Sequence, residues 1–392
     1  EKRAAAAERY AQDFHATRVR ALQLATQRYL EGAAQRYADR VEELITEEMM
    51  VVTFSRDGYV KRVPLEVYRA QGRGGRGVRG SEAKEGDVLQ SLFVAGTHDH
   101  LLCFSNFGQV FWLKVYHLPE AGRTSPGRAI SNLIGLREGE RITRILRVRE
   151  FDNESFVFFA TRNGTVKKTR LEAYSRPKKG GIRAIKLEEN DAVVGVGLCR
   201  PGDTILLSSS SGKAIRFDEA AARAMGRTSV GVRGIRLKEG DAVVGMVVAE
   251  SDAHLITACA HGYGKRTPIA DYPVKGRGGQ GVINIQATER NGPVIGVRLC
   301  RDDDDVMFIT AGGMIVRSPI EDTRPMGRNT QGVRLVNLKE DDRLVGMEIV
   351  TARDLEEYGL LEEEEPADVP EEAGADPSAN GDPASGAPDE EE

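Results

Sequence analysis

Cysteine is scarce and scattered: Cys103, Cys199, Cys259 and Cys300 are the four in 392 residues, and none forms a CxxC pair. That spacing offers neither a zinc site nor a disulfide framework, so all four are expected to be small buried apolar residues in a reducing compartment. No apolar run approaches the roughly 18–20 residues of a membrane span, and no signal-peptide pattern is present. The default expectation is the cytoplasm. Marks of catalysis are missing as well. Gly72-x-Gly74-x-x-Gly77 and Gly276-x-Gly278-x-x-Gly281 have dinucleotide-fingerprint spacing, but the stretches that follow, "VRGSEAKEGD" and "INIQATERNG", do not read as the long helix such a motif opens. In "SSSSGK", 208–213, Leu207 stands where the first glycine of a P-loop belongs. His98-Asp99-His100 lacks a second ligand cluster and reads as turn and strand-start chemistry; the acidic run 302–305 reads as a solvated turn. No Ser/His/Asp or Cys/His arrangement stands out, so no catalytic, cofactor-binding or metal-binding residue is assigned.

Glycine is abundant, at 43 residues, which implies many turns. Charge is uneven. The net charge of −5 contains a segment, 353–392, that carries −15, so residues 1–352 carry +10. A positive body joined to a negative tail suggests a polyanion partner and an internal competitor for it. The chain opens on Glu1 rather than methionine, and we expect a fragment or processed form whose missing N-terminal part carries further function.

One pattern repeats along the body. "SRDGYVKRVP", "FSNFGQVFWL", "ATRNGTVKKT", "SSSSGKAIRF", "ACAHGYGKRTP" and "ITAGGMIVRSP" centre on Gly58, Gly108, Gly164, Gly212, Gly262 and Gly313, spaced by 50, 56, 48, 50 and 51 residues. Each reads as a hairpin; Asp57-Gly58 and Asn163-Gly164 predict two-residue turns with positive φ at both positions. An acidic turn and an apolar strand follow in each unit, as in "KEGDAVVGMVVA" from Lys238. The expected fold is therefore all-β: six four-stranded blades about a centre, a propeller-like disc. We place a helical or linker segment at 1–46, the six blades across 47–352 (47–97, 98–151, 152–200, 201–250, 251–301, 302–352), and a disordered acidic tail at 353–392, where too little apolar surface exists to offset ordering entropy.

A second motif recurs inside the first. Gly72-Arg73-x-x-x-Gly77 returns as Gly122-Arg123…Gly127, Gly226-Arg227…Gly231, Gly276-Arg277…Gly281 and Gly327-Arg328…Gly332; the third unit has "RPKKGG", 176–181, with Lys178 and Lys179 supplying charge. In a radial arrangement these loops fall on one rim. Glycine lets backbone N–H groups point at an anion, and arginine offers a planar, permanently charged fork for phosphate oxygens. Neither reads base edges, so the partner expected is a bent duplex held by its backbone. Candidate contacts are Gln71, Gly72, Arg73, Gly74, Gly75, Arg76, Gly77, Arg79, Arg123, Arg128, Lys178, Lys179, Arg227, Arg233, Arg277, Arg328 and Arg334. Strand cations Lys61, Arg62, Lys167, Lys168, Arg216, Lys265, Arg266 and Arg317 read as solvated face residues, and Phe111-Trp112 as packing.

With these residues in view, the chain resembles the C-terminal DNA-wrapping domain of the A subunit of bacterial DNA gyrase over about residues 47–350. "THDHLLCFSNFGQVFWLKVYHLPEA", "RAMGRTSVGVRGIRL", "HGYGKRTPIADYP" and "MGRNTQGVRL" carry the resemblance. Gln71-Gly72-Arg73-Gly74-Gly75-Arg76-Gly77 is similar to that family's Gln-Arg-Arg-Gly-Gly-Lys/Arg-Gly box, with Gly72 in place of an arginine. The resemblance implies a β-pinwheel whose neighbouring blades exchange strands and around which duplex DNA wraps with positive handedness. It implies a non-catalytic segment of an ATP-dependent type II topoisomerase. ATP and Mg would be used elsewhere in an A2B2 holoenzyme, by the catalytic N-terminal part of the gyrase A subunit and by the gyrase B subunit. The implied place is the nucleoid. The alternative readings are the equivalent domain of the topoisomerase IV A subunit, and a propeller that scaffolds protein partners.

Overall fold

In the computed structural model the described residues are 17–26, 29–30, 32–33, 40, 42–55, 57–65, 89–122, 125–178, 180–312, 314–339 and 342–351. Of two units, the first, Glu1–Leu360, holds every described residue, and the second, Leu361–Glu392, lies outside them. The acidic tail expected from 353 onward lies outside the described residues, as do Gln71, Gly72, Arg73, Gly74, Gly75, Arg76, Gly77, Arg79, Arg123 and Lys179. Residues 17–26 are helical. The end of that N-terminal segment is anchored to the sheets: Lys114 Nζ donates to Glu42 Oε1 at 2.8 Å, and His98 Nε2 lies 3.0 Å from the carbonyl of Ile45.

Each repeat folds as its pattern demands. A hairpin forms, such as Phe156–Thr161 with Thr165–Arg170, and a third strand, here Val193–Cys199, joins the first hairpin strand on its inner side. These third strands pack against their counterparts in the neighbouring repeats and so ring the axis of a six-bladed propeller. The fourth, outermost strand is not supplied locally. Arg128–Ala129, which follows the hairpin of blade 2, pairs with the hairpin of blade 1. Ile182–Arg183, Val232–Arg233, Val282–Ile283 and Val333–Arg334 pair in the same way with blades 2, 3, 4 and 5. This is the strand exchange of a pinwheel. Blade 6 has three strands among the described residues. The repeat position that would supply its fourth, Val78-Arg79, lies outside them.

The core sits between blades, not within one. Leu101 and Cys103 pack towards blade 1 with Met50, Val52 and Phe54. Leu102 and Phe104, their alternate neighbours, pack towards blade 3 with Val157 and Phe159. A strand buried on both faces reads as a continuous apolar run, which explains "HLLCF" and "FVFFA". All four cysteines are free and buried within these layers, and burial pushes each thiol up to about 12. They are packing residues, as their spacing implied.

The hairpin turns differ from expectation. The glycines are left-handed, with φ of +87° at both Gly58 and Gly164, but Asp57 and Asn163 are not. Gly164 N donates to Thr161 O at 3.0 Å, so the loop has three residues: a type I turn closed by one left-handed glycine. The side chain preceding the turn supports it in four hairpins. Ser55, Ser105, Thr161 and Thr310 hydroxyls each accept the N–H just after the glycine, at 2.9–3.2 Å. Carboxylates from the later acidic turns cap the tips: Asp191 accepts from Asn163 N, Asp241 from Ser211 N and Asp342 from Gly312 N, each at 3.0 Å. The acidic turns therefore serve the fold.

Candidate nucleic-acid interface

The Gly-Arg loops that begin at Gly122, Gly226, Gly276 and Gly327 are arches in the outermost edges of blades 1, 3, 4 and 5. Before a loop, the incoming chain bonds to the second hairpin strand: Ala121 N to Arg62 O, Met225 N to Lys168 O, Lys275 N to Arg216 O and Met326 N to Arg266 O, at 2.8–3.1 Å. After the loop it pairs with the same strand again as the exchanged dipeptide. In between, the backbone leaves the sheet and bulges outward.

The arches from 176–181 to 327–332 are also tied in series. Lys186 N, just past one exchanged strand, donates to Ser229 O of the following loop at 3.1 Å. Arg236 N donates to Gly279 O at 2.8 Å, and Gln286 N to Thr330 O at 2.9 Å. The four loops from 176–181 to 327–332 thus form one hydrogen-bonded belt along a single edge.

Two kinds of glycine serve each arch. The closing one is required by the chain itself. Gly127, Gly181, Gly231, Gly281 and Gly332 have φ between +68° and +120°. A Cβ on Gly127 would lie 2.5 Å from Val60 O, and at Gly231, Gly281 and Gly332 it would overlap the carbonyls of Val166, Ala214 and Gly264. The opening glycines Gly122, Gly226, Gly276 and Gly327 have ordinary φ, and a Cβ there would meet nothing within 4 Å. Nothing inside the protein asks for glycine at those positions. They leave bare backbone facing outward.

Arg128, Lys178, Arg233, Arg277 and Arg334 are exposed, while Arg227 and Arg328 are half-buried. Their partners are neutral. Arg277 donates from Nε to Ala221 O at 2.8 Å and from a terminal nitrogen to Arg233 O at 3.0 Å. Arg328 donates to Ile283 O at 3.2 Å and lies 6.0 Å from the Tyr272 ring centre. Arg334 donates to the Tyr263 hydroxyl at 2.8 Å, and Arg290 stacks on that ring at 4.3 Å. Among the described residues none of the seven loop and exchanged-strand cations makes an ion pair with a carboxylate. Arg277 and Arg328 are held by backbone carbonyls and Arg334 by the Tyr263 hydroxyl and the Asn337 side-chain carbonyl, so these three are preorganised while no carboxylate among the described residues offsets their charge. Arg183, Lys186 and Arg290 are exposed beside them and were missed from sequence. The signal for Arg183 was present, as it holds the second place of the exchanged dipeptide, like Arg233 and Arg334.

The strand cations correct an expectation. Lys61, Lys167, Lys168, Lys265 and Arg266 are buried, not solvated. One register position pairs with carboxylates of the incoming chain or with its carbonyls: Arg62 with Glu120 at 3.2 Å, Lys168 with Glu219, Arg266 with Asp302 at 2.5 Å, and Arg216 with Ile269 O at 3.1 Å. These are staples between blades. The position before it points beneath the arches and holds Lys61, Lys167 and Lys265 in blades 1, 3 and 5, but Phe111 and Ile215 in blades 2 and 4. Trp112 donates from Nε1 to Tyr174 O at 2.8 Å, a packing role.

Neither weighed metal motif forms a site. Asp99 is buried, accepts from Gly96 N at 3.0 Å and faces Arg147 and Arg149; burial pushes the His100 imidazole down to about 4. In 302–305, Asp302 pairs with Arg266, and Asp304 accepts from Arg301 N at 2.7 Å. No metal-holding group occurs among the described residues, and no described helix is long and apolar enough to cross a membrane.

Over 50–95, 99–149, 155–200, 203–250, 253–301 and 304–351 the chain matches the family described as DNA gyrase C-terminal domain, beta-propeller. It is 44% identical over 310 residues to the DNA gyrase A subunit of Salmonella typhimurium, covering 79% of this chain and 35% of that protein. To the Escherichia coli K12 gyrase A subunit it is 46% identical over 310 residues, with the same coverage. The chain thus spans about a third of the curated relatives it matches. Among solved structures it is similar to the C-terminal domain of DNA topoisomerase IV, with a TM-score of 0.69 and 28% identity over 79% of this chain and 95% of that one. It shares the fold of a DNA gyrase A C-terminal domain, with a TM-score of 0.62 and 24% identity over 76% and 99% of the two chains.

Proposed function

The chain belongs to the DNA gyrase C-terminal β-propeller family, and from that premise we propose that it binds duplex DNA without sequence preference and wraps it around the arginine-bearing belt. The single observation that carries this reading is the belt itself: arches from 176–181 to 327–332 linked edge to edge, with the Arg277 and Arg328 guanidinium groups resting on carbonyls and the loop cations without carboxylate partners among the described residues. Bending 20–30 base pairs by 40–90° costs about 1–6 kcal/mol, so a long wrap costs several such units. Counterion release offsets it, and that term is steeply salt-dependent.

Wrapped DNA leaves the rim as a crossing of positive sign. When that arm passes through a double-strand break, the crossing becomes negative supercoils. In this reading the break, the strand passage and the ATP hydrolysis belong to the catalytic part of the A subunit and to the B subunit of an A2B2 gyrase working on the nucleoid, and this segment supplies only the wrap. Relaxing nicked plasmid with ligase in the presence of the chain is expected to trap positive writhe; no topological shift would sink the proposal. The likeness to the topoisomerase IV domain favours a second reading, in which the belt binds DNA without wrapping it. That reading gives binding with unaltered linking number in the same assay.

The −15 segment at 353–392 is proposed to compete with DNA for the +10 body. Ending the chain at residue 352 is expected to tighten binding several-fold at low salt, with the gain shrinking as screening increases. Equal binding and wrapping by the two lengths at low salt would dispose of the competition.

A further inference from the structure

An arch that leaves a sheet turns some of its carbonyl oxygens towards the protein, away from strand partners. In three arches a buried ammonium meets them. Lys61 Nζ donates to Gly122 O at 3.2 Å and Ser125 O at 2.8 Å. Lys167 Nζ donates to Arg227 O at 2.6 Å and to Ala184 O at 2.5 Å. Lys265 Nζ donates to Gly327 O at 2.7 Å, Arg328 O at 2.5 Å and the Thr330 hydroxyl at 3.3 Å. All three side chains are among the most buried in the molecule. In the two intervening arches the same register position is apolar: Phe111 lies under Gly181, and Ile215 under Gly279 and Gly281.

A buried lysine is costly unless its donors are used. Here each lysine uses at least one donor on the backbone of the Gly-Arg pair that opens the arch: Gly122, Arg227, and Gly327 with Arg328. We infer that Lys61, Lys167 and Lys265 are positioning residues of the DNA-contacting belt, each holding an arch from beneath so that its carbonyls face inward and its arginine and N–H groups face a phosphate. The inference rests on the DNA-binding reading above. It divides the belt into two classes: pinned arches at 122–127, 226–231 and 327–332, and unpinned arches at 176–181 and 276–281 seated on apolar side chains. The pinned arches present fixed contacts. The unpinned ones carry glycine inside the loop, Gly180 in one and Gly278 and Gly279 in the other, where the pinned arches have it only at their ends, and can adjust to the path of the duplex.

The same ammonium groups lie just inside the surface where phosphates would approach. Desolvation, then the neighbouring Arg227, brings Lys167 down to about 7. Desolvation and Arg328, opposed by Asp271 and Cys259, bring Lys265 down to about 8. Burial also lowers Lys61. An approaching phosphate favours the charged form, so the DNA-bound pKa lies above the free one. Binding is then tighter below the free pKa and weakens as pH rises through the window between the two, with protons taken up on binding.

The test is a duplex titration of the full chain across about pH 7 to pH 9 at fixed salt, with calorimetry in two buffers of different ionisation enthalpy to count protons. Wild type is expected to take up protons and to lose affinity several-fold across that range. Lys167→Met, Lys265→Met and their combination keep the side-chain volume but remove the donors. They are expected to bind several-fold more weakly near neutral pH, to wrap less, and to show a flattened pH profile. Wild-type affinity, wrapping and pH profile in the folded Met variants would overturn the inference. So would the absence of proton uptake by wild type, a measurement that needs no variant to fold. The two readings fail separately: no duplex binding by wild type defeats the belt, whereas wild-type binding untouched by the lysine substitutions defeats only the pins.

Discussion

Replacing Arg227, Arg277 and Arg328 together with glutamine is expected to lower affinity for linear duplex DNA on the order of 10²-fold at moderate salt, at roughly 1 kcal/mol for each charge-assisted hydrogen bond removed. The slope of log affinity against log salt should fall by roughly 2 to 3, because each phosphate neutralised releases about 0.9 of a counterion. The weakening should be similar for unrelated duplex sequences, since these groups approach the backbone and not base edges. Folding should survive. Arg277 bonds the Ala221 and Arg233 carbonyls and Arg328 the Ile283 carbonyl, all at the surface, and none of the three guanidinium groups takes part in a described ion pair. Thermal melts monitor stability, and fluorescence titrations over a salt series monitor binding. A variant that folds and keeps the wild-type salt slope would show that the belt does not hold DNA.

The second large effect separates the two glycines of one arch. Gly231→Ala places a Cβ against Val166 O at a φ of +120°. Strain in that backbone region together with the overlap is expected to cost about 2–4 kcal/mol of stability. The damage should spread, because the exchanged strand Val232–Arg233 that follows is the outer edge of the preceding blade. Gly226→Ala, five residues earlier in the same loop, meets open space at an ordinary φ and should change stability by no more than about 0.5–1 kcal/mol, in the stabilising direction if at all. Its effect belongs to the partner: a methyl group on the outward backbone should weaken duplex binding several-fold. Urea melts read the first difference and titrations the second. Comparable stability losses in both variants would mean that the opening glycine also serves the fold.

Much of the architecture was legible because its period is local. The glycines at about fifty-residue spacing mark hairpins that form from adjacent residues, and the runs "FVFFA" and "HLLCF" reveal strands covered on both faces. The exchanged dipeptide was also written there, as Gly-Val-Arg or its variants after each loop, but its partner was not. Pairing of Val232 with Val166 joins residues far apart in the chain, and no local pattern states which edge a two-residue strand will take. The turn type was misread for a related reason. Asp-Gly and Asn-Gly favour a two-residue loop by themselves, whereas here the glycine N–H bonds back to the residue before the turn and closes three, at Cys259 as at Ser55 and Thr161.

The residue types that make the belt cationic, and the offset that places an arginine after the opening glycine in every unit but the third, are properties of the sequence alone; charge and backbone freedom do not depend on context. Which cations face outward is a tertiary matter. Lys167 and Lys168 are neighbours in one strand, yet one is driven under a loop by that loop's unpaired carbonyls and the other is drawn to Glu219 of the incoming chain. A strand's alternation offers two faces. In a pinwheel both are covered, so a charged side chain there must find a partner that only the neighbouring blade can provide.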